Sequence, residues 1–260
     1  RNKKTMEGLE SGLARLTNPI TKIIHRLRQN TLKGSKSNIL AHYDLSNDFY
    51  KLWLDSTMTY SSGIFLNKKS SMLDASVEKL DRLCRKLNLN SSDHVLEIGT
   101  GWGSFATHAA KNYGCKVTTT TISDNQFNYV AELISKENLD NKITLLNKDY
   151  RELEGVFDKV VSIEMIEAVG SDFVPGFFEK ASSLLKKNGL MALQGITYND
   201  PDFNAYKNSV DFIRKYIFPG SCLISLSQVE KAIKDKTDLI MVDSEDITLH
   251  YARTLEIWRK

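Results

Sequence analysis

From Asp93 onward the chain alternates short apolar runs with helix-period segments, and that alternation restricts the fold more than any other feature. The candidate strands are HVLEIG (94–99), KVTTTTI (116–122), ITLLNKD (143–149), DKVVSIE (158–164), LMALQGIT (190–197) and LIMVDSEDI (239–247). Between most of them lie helical patterns, notably DNQFNYVAELISKEN (124–138) and FVPGFFEKASSLLKK (173–187). Such alternation predicts an α/β, Rossmann-like, doubly wound, mostly parallel sheet with helices on both faces. Leu73, Val77, Leu80, Cys84 and Leu87, stepping by fours and threes, predict one more helix ahead of the first strand. The stretch Asn199–Ser227 is too long for a simple connection, so a helical insertion over the carboxyl edge of the sheet is expected after strand five.

Residues 1–38 are expected to form a separate N-terminal basic helical segment, and 39–260 one domain. In PITKIIHRLRQNTLKGSK (19–36), Ile20, Ile23, Ile24 and Leu27 recur at helical spacing beside Lys22, Arg26, Arg28, Lys33 and Lys36. Two readings stay open for it: a surface helix packed on the core, or one resting on anionic lipid headgroups. Ile39–Phe65 is dense in aromatics without a clean period, as expected of a segment that lines or covers a site. A net charge of +3 is too small to argue for nucleic acid. Cys84, Cys115 and Cys222 are odd in number and far apart. They offer neither a metal-ligand spacing nor a disulfide framework, so no metal and a reducing compartment are expected. With no signal peptide and no apolar run long enough to span a bilayer, the expected location is cytoplasmic. Arg1 is expected to lie inside a longer natural chain.

VLEIGTGWGSFA (95–106) runs from the first strand through three glycines toward a helix. In open α/β sheets ligands sit at this carboxyl edge, and glycines let the backbone approach them. The dinucleotide fingerprint is G-x-G-x-x-G, which receives a pyrophosphate. Here the string is G-x-G-x-G, with Glu97 two residues ahead of Gly99. That carboxylate would repel an anion and favour an ammonium or sulfonium. The ligand expected at Gly99, Thr100 and Gly101 is therefore S-adenosyl-L-methionine, which carries no phosphate. After strand two, TISDNQ offers Thr121, Ile122, Ser123 and Gln126 to ribose and amino-acid groups. After strand three, Asp149 and Tyr150 stand where an adenine would bind.

HYDLSNDFY, MTYSSGIF, EIGTGWGSFA, TISDNQ, SIEMIEAVG, YIFPGSCL and HYARTLEIW occur in that order. In these motifs the chain, from Leu40 onward, resembles the cyclopropane fatty-acyl-phospholipid synthase family, which includes the mycolic acid cyclopropane synthases. The resemblance implies a methyltransferase domain over 39–260 that uses S-adenosylmethionine to add a methylene across a cis double bond of a lipid acyl chain. It implies that Tyr60 and Ser61, with the glycine turn, hold the methionine half of the donor, and that Tyr150 and Arg151 hold the adenine. It further implies a bicarbonate ion acting as base among Ser62, Glu167, Gln194, Ile196 and Tyr251. Three residues depart from the usual pattern: Ser62 replaces Cys, Gln194 replaces His, and Glu164 stands where many members have Gly. One branch, including plant enzymes, resembles this chain at both Glu164 and Gln194. Family members continue past HYARTLEIW with a helix and a closing strand, so the acyl-binding wall is expected to extend past Lys260.

The chemistry implied makes further demands on side chains. An alkene is a poor nucleophile, so the methyl must be held close and in line, a contribution of about 7–11 kcal/mol when the geometry is right. The carbocation that results needs aromatic faces, for which Tyr43, Tyr216 and Tyr251 are candidates. A base must then remove a proton from the transferred methyl. Glu167 is expected to organise it, with Tyr251 on the same ion and His250 orienting Tyr251, while His42 is expected to be structural. The expected partners are unsaturated phospholipid acyl chains at the inner face of the membrane and, as a second class, another copy of the chain in a homodimer. Three alternatives stay open: a methyl-branched lipid product, a small soluble acceptor, and a binding protein that has lost its base.

Overall fold

The computed structural model describes residues 46–260 together with Gly34. The remainder of the basic 1–38 segment, and His42 and Tyr43, lie outside the described residues. A five-stranded parallel sheet has the order β3-β2-β1-β4-β5, formed by β1 (His94–Ile98), β2 (Lys116–Thr121), β3 (Ile143–Asn147), β4 (Phe157–Ile163) and β5 (Leu185–Gln194). The order reverses beside β1, which puts the glycine turn at the crevice where such sheets bind ligands.

Strand alternation sends successive residues of β1 to opposite faces. Val95 joins a core built with α2 (Met72–Lys86), α3 (Ser104–Asn112) and α4 (Asp124–Lys136), while Leu96 and Ile98 join a core built with α5 (Val174–Ser183) and α7 (Leu226–Lys236). Glu97 shares the face of Val95 and therefore points toward α2. The predicted insertion is present: α6 (Asp200–Lys207) and a π-helical turn, Ile213–Ile217, follow β5, and an isolated bridge joins Thr197 to Ile224. The short α1 (Asn47–Lys51) precedes the domain, and α8 (Thr248–Trp258) closes it.

Two expectations are corrected. The run 239–247 forms no strand; Ile240 and Val242 are each 82% exposed. An apolar run becomes a strand only where a neighbour satisfies its backbone, and among the described residues nothing pairs with the outer edge of β5. The segment is held instead by its acids: Asp243 and Glu245 pair with Lys86, and Glu245 also with Arg82, both on α2.

The helix predicted ahead of the first strand is present as α2, with Leu80, Cys84 and Leu87 buried; the second correction concerns its first turns. Leu73 and Val77 are 41% and 39% exposed, whereas Met72, Ala75, Ser76 and Lys79 turn inward with Leu80 and Leu83. Polar tethers to the aromatic segment set this rotation. Ile64 N–H donates to Ala75 O at 2.9 Å, Ser76 Oγ to Asp55 Oδ2 at 2.6 Å and Lys79 Nζ to Ser61 Oγ at 2.9 Å.

Candidate active site

At the carboxyl edge of β1, a cleft enclosing about 1110 Å³, its open mouth included, lies above the glycine turn. Gly99 has φ +96° and a Cβ there would stand 3.0 Å from Met165 Cγ, so only glycine fits. Gly101 has φ +52° and a Cβ there would meet nothing within 4 Å, because it faces the open cleft.

The sequence-predicted donor residues converge here. Tyr60, Ser61, Glu97, Gly99, Thr100, Gly101, Thr121, Ile122, Gln126, Tyr150 and Arg151 all line the cleft. Ser123 does not; its hydroxyl caps α4 by accepting from Gln126 N–H at 3.3 Å, while Thr121 Oγ1 donates to Gln126 Oε1 at 2.8 Å. Arg151 grips Asp149 with Nε at 2.8 Å and a second nitrogen at 2.6 Å, and its guanidinium lies 5.6 Å from the Tyr150 ring centre. That fork fixes a flat, polar shelf beside Tyr150, suited to an adenine. Thr100 Oγ1 is buried without a hydrogen-bond partner among the described residues, an orphan that a bound ligand would satisfy.

Glu97 is buried, and Thr119 Oγ1 donates to its Oε2 at 2.6 Å. Burial pushes its carboxyl up to about 8, against the lowering effects of Thr119 and Lys79. In the unfolded chain it titrates near the ordinary 4.5. Its contribution to stability is therefore complete below that value and is lost as the pH rises through about 8, because ionisation must then occur in the buried site. The apo protein is expected to lose more melting temperature between pH 5 and pH 8 than Glu97→Gln does, as measured by scanning calorimetry; equal slopes would refute this.

Behind the cleft, two carboxylates meet. Glu164, on the cleft wall at the end of β4, has the uncommon φ of +48°. A non-glycine residue held there stores about 1–3 kcal/mol of strain, a mark of functional sites. Glu164 Oε1 accepts from Ser62 N–H at 2.9 Å and from Gln194 Nε2 at 2.8 Å. Ile196 N–H donates to Glu167 Oε1, and Glu167 Oε2 is buried without a partner among the described residues. Burial, and then the charge of Glu164, push the Glu167 carboxyl up to about 8. Burial also raises Glu164, opposed by its two donors. Tyr251 is raised by burial and then by Glu164 and Glu167.

The five residues expected to hold bicarbonate are thus brought together, but the donors of three of them already serve protein carboxylates. Ser62 N–H and Gln194 Nε2 are taken by Glu164, and Ile196 N–H by Glu167. A bicarbonate would have to displace Glu164 and sit against two acids, so the residues present do not fit it. Two further expectations are corrected. Tyr216 is 60% exposed on the insertion, against Phe212 and under Lys215, and does not line the cleft. His250 Nδ1 accepts from Phe65 N–H at 3.1 Å, and Thr254 Oγ1 from Gly63 N–H at 3.1 Å, so α8 anchors the loop carrying Ser62. Among the cleft residues that sequence reasoning missed, Lys79 is the one that is both buried and ionisable. Its signal was its phase: it falls on the inward stripe of α2, three residues after Ser76.

Comparisons with known proteins agree with this fold. The family model for mycolic acid cyclopropane synthetase matches residues 30–260. The chain is 39% identical over 234 residues to a probable fatty acid methyltransferase of Pseudomonas putida, covering 89% of this chain and 59% of that protein. It is 36% identical over 233 residues to the tuberculostearic acid methyltransferase UfaA1 of Mycobacterium tuberculosis, covering 87% and 54%. It thus spans little more than half the length of these two relatives. The crystal structure of mycolic acid cyclopropane synthase CmaA1, complexed with S-adenosylhomocysteine (SAH) and CTAB, superposes with a TM-score of 0.80 at 31% identity, covering 86% of this chain and 81% of that one. On these grounds the chain belongs to the mycolic acid cyclopropane synthetase family.

Proposed function

We propose that this protein transfers a methylene from S-adenosyl-L-methionine to the cis double bond of an unsaturated fatty acyl chain of a phospholipid, forming a cyclopropane ring. The observation that carries this reading is a buried pair of carboxylates, Glu164 on the wall of the cleft at the glycine turn and Glu167 behind it. When bound, the donor supplies an electrophilic methyl on a sulfonium. The glycine turn, Thr100 and Glu97 hold its amino-acid end, the Thr121–Gln126 turn its ribose, and Tyr150 its adenine. Tyr60, in a cluster with Tyr50, Trp53, Trp102 and Trp258, presents aromatic faces beside the cleft. Such faces favour the positive charge left on the acyl chain after methyl transfer.

Ring closure then needs one proton removed from the transferred methyl while its carbon–hydrogen electrons form the second ring bond. No reductant enters. Glu164 is the base in this reading: it lines the cleft, and two N–H donors stabilise its ionised form. Two adjacent buried carboxylates resist ionising together, so Glu167 carries the shared proton at neutral pH, where its orphan Oε2 is suited to hold it. The exposed Phe212, Ile213 and Tyr216 of the insertion support contact with lipid; in this reading the reaction runs at the inner face of the membrane.

A second reading has specific support, because the two relatives above are named methyltransferases: the same base could take its proton from a chain carbon and leave a branched alkene of identical mass. Incubation with isotopically labelled donor and unsaturated phospholipid vesicles distinguishes the two. Label in a chain that resists mild hydrogenation and shows ring-methylene protons by NMR is the expected result. Label in a chain that takes up hydrogen supports the branched product, and no label in lipid overturns both.

A further inference from the structure

In the lining of the cleft, α2 and β1 bring together one buried lysine and one buried glutamic acid side chain. Lys79 is 1% exposed and Glu97 2% exposed, and both line the cleft beside Ser61. An ammonium has three hydrogens to donate. Lys79 donates to Ser61 Oγ at 2.9 Å and forms no ion pair among the described residues. The charges of Glu164, Glu97 and Asp55 act on it, but the oxygens of these acids accept from other donors, Glu97 from Thr119. Asp55 accepts from Thr57 and Ser76, and Glu164 from Ser62 and Gln194. A lysine so deeply buried is costly unless an anion meets it.

We propose that Lys79 receives the α-carboxylate of the donor's amino-acid end, with Ser61 as its relay and Glu97 taking the ammonium of the same zwitterion. A lysine beside a carboxyl that can release its proton to meet an ammonium suits an amino acid better than a phosphate, whose doubled negative charge Glu164 would oppose. The assignment rests on the donor reading above and adds to it the residue that selects a carboxylated donor. The Lys79–Ser61 hydrogen bond also ties the aromatic segment to α2, so ligand binding and loop position would be read by the same ammonium.

The test is a pair of titrations by calorimetry, with SAH and with its decarboxylated analogue, the aminopropyl thioether. Wild type is expected to prefer the carboxylated ligand by about 10–100-fold, the range for a hydrogen bond to a charged group. Lys79→Met is expected to lose that preference, weakening SAH by the same factor and leaving the analogue nearly unchanged. Lys79→Arg, which keeps the charge, is expected to retain part of the preference and serves as the second variant should the methionine substitution unfold the chain. Equal weakening of both ligands in Lys79→Met, or equal binding of both by wild type, overturns the role of Lys79 and leaves the donor site standing. Failure of wild type to bind either ligand overturns both.

Discussion

Glu164→Gln is expected to lower kcat by about 10²–10⁴-fold, the usual contribution of a positioned general base. The substitution is nearly isosteric, and the amide oxygen can still accept from Ser62 N–H and Gln194 Nε2, so the loop and the end of β4 keep their tethers. What disappears is the ability to take a proton. Glu167→Gln is the contrasting variant. If Glu167 is the protonated partner at neutral pH, an amide there mimics its working state, and the loss is expected to stay within about tenfold. Measurement of kcat alongside SAH affinity separates the base from the donor site: affinity should change little in either variant. The reverse ranking, with Glu167→Gln the dead enzyme, would exchange the two roles. Unchanged turnover in both would remove the carboxylate pair from the mechanism.

Gly101→Val is expected to weaken SAH by more than about 100-fold, which is about 2.7 kcal/mol. A side chain at this position has room in the empty protein, since a Cβ meets no atom within 4 Å. The room is the cleft itself, so the branched carbons would occupy donor space rather than clash with the fold. The cost to the apo fold comes from the backbone alone: φ +52° is left-handed, and a β-branched residue there is strained by about 1–2 kcal/mol. For a domain of this size each kcal/mol shifts the melting temperature by about 2–4 °C. Calorimetry should therefore find a folded protein that has lost its ligand. Wild-type affinity in the valine variant would show that the donor does not lie over this turn.

The particulars show which features a linear reading reaches. The first five strands were readable because their alternation and the turns between them are local properties, and a parallel sheet buried on both faces tolerates no other placement of such runs. The run 239–247 carries the same signal yet forms no strand, because strand formation depends on a neighbour that a local pattern does not contain. The donor cleft was readable for a related reason: glycines, Glu97 and the polar turns after β2 and β3 all lie just past strand ends, and the carboxyl ends of a parallel sheet share one edge.

Lys79 escaped because a lysine within a helix reads as a solvated position. Only the rotation of α2, set by its tethers to Asp55, Ser61 and Ile64, turns that ammonium into the cleft. Likewise the resemblance pointed to an anion site and its residues, but whether a free ion or a side chain fills it is a matter of distance between segments a hundred residues apart. Residue order alone thus settled the sheet, the glycine turn and the family, because these follow from short-range periodicity and motif. Packing in three dimensions settled which acid accepts from Ser62 and Gln194, which lysine lines the cleft and which apolar run stays unpaired. Charge burial and partner choice depend on what folds in from elsewhere, and no stretch of neighbouring residues encodes that.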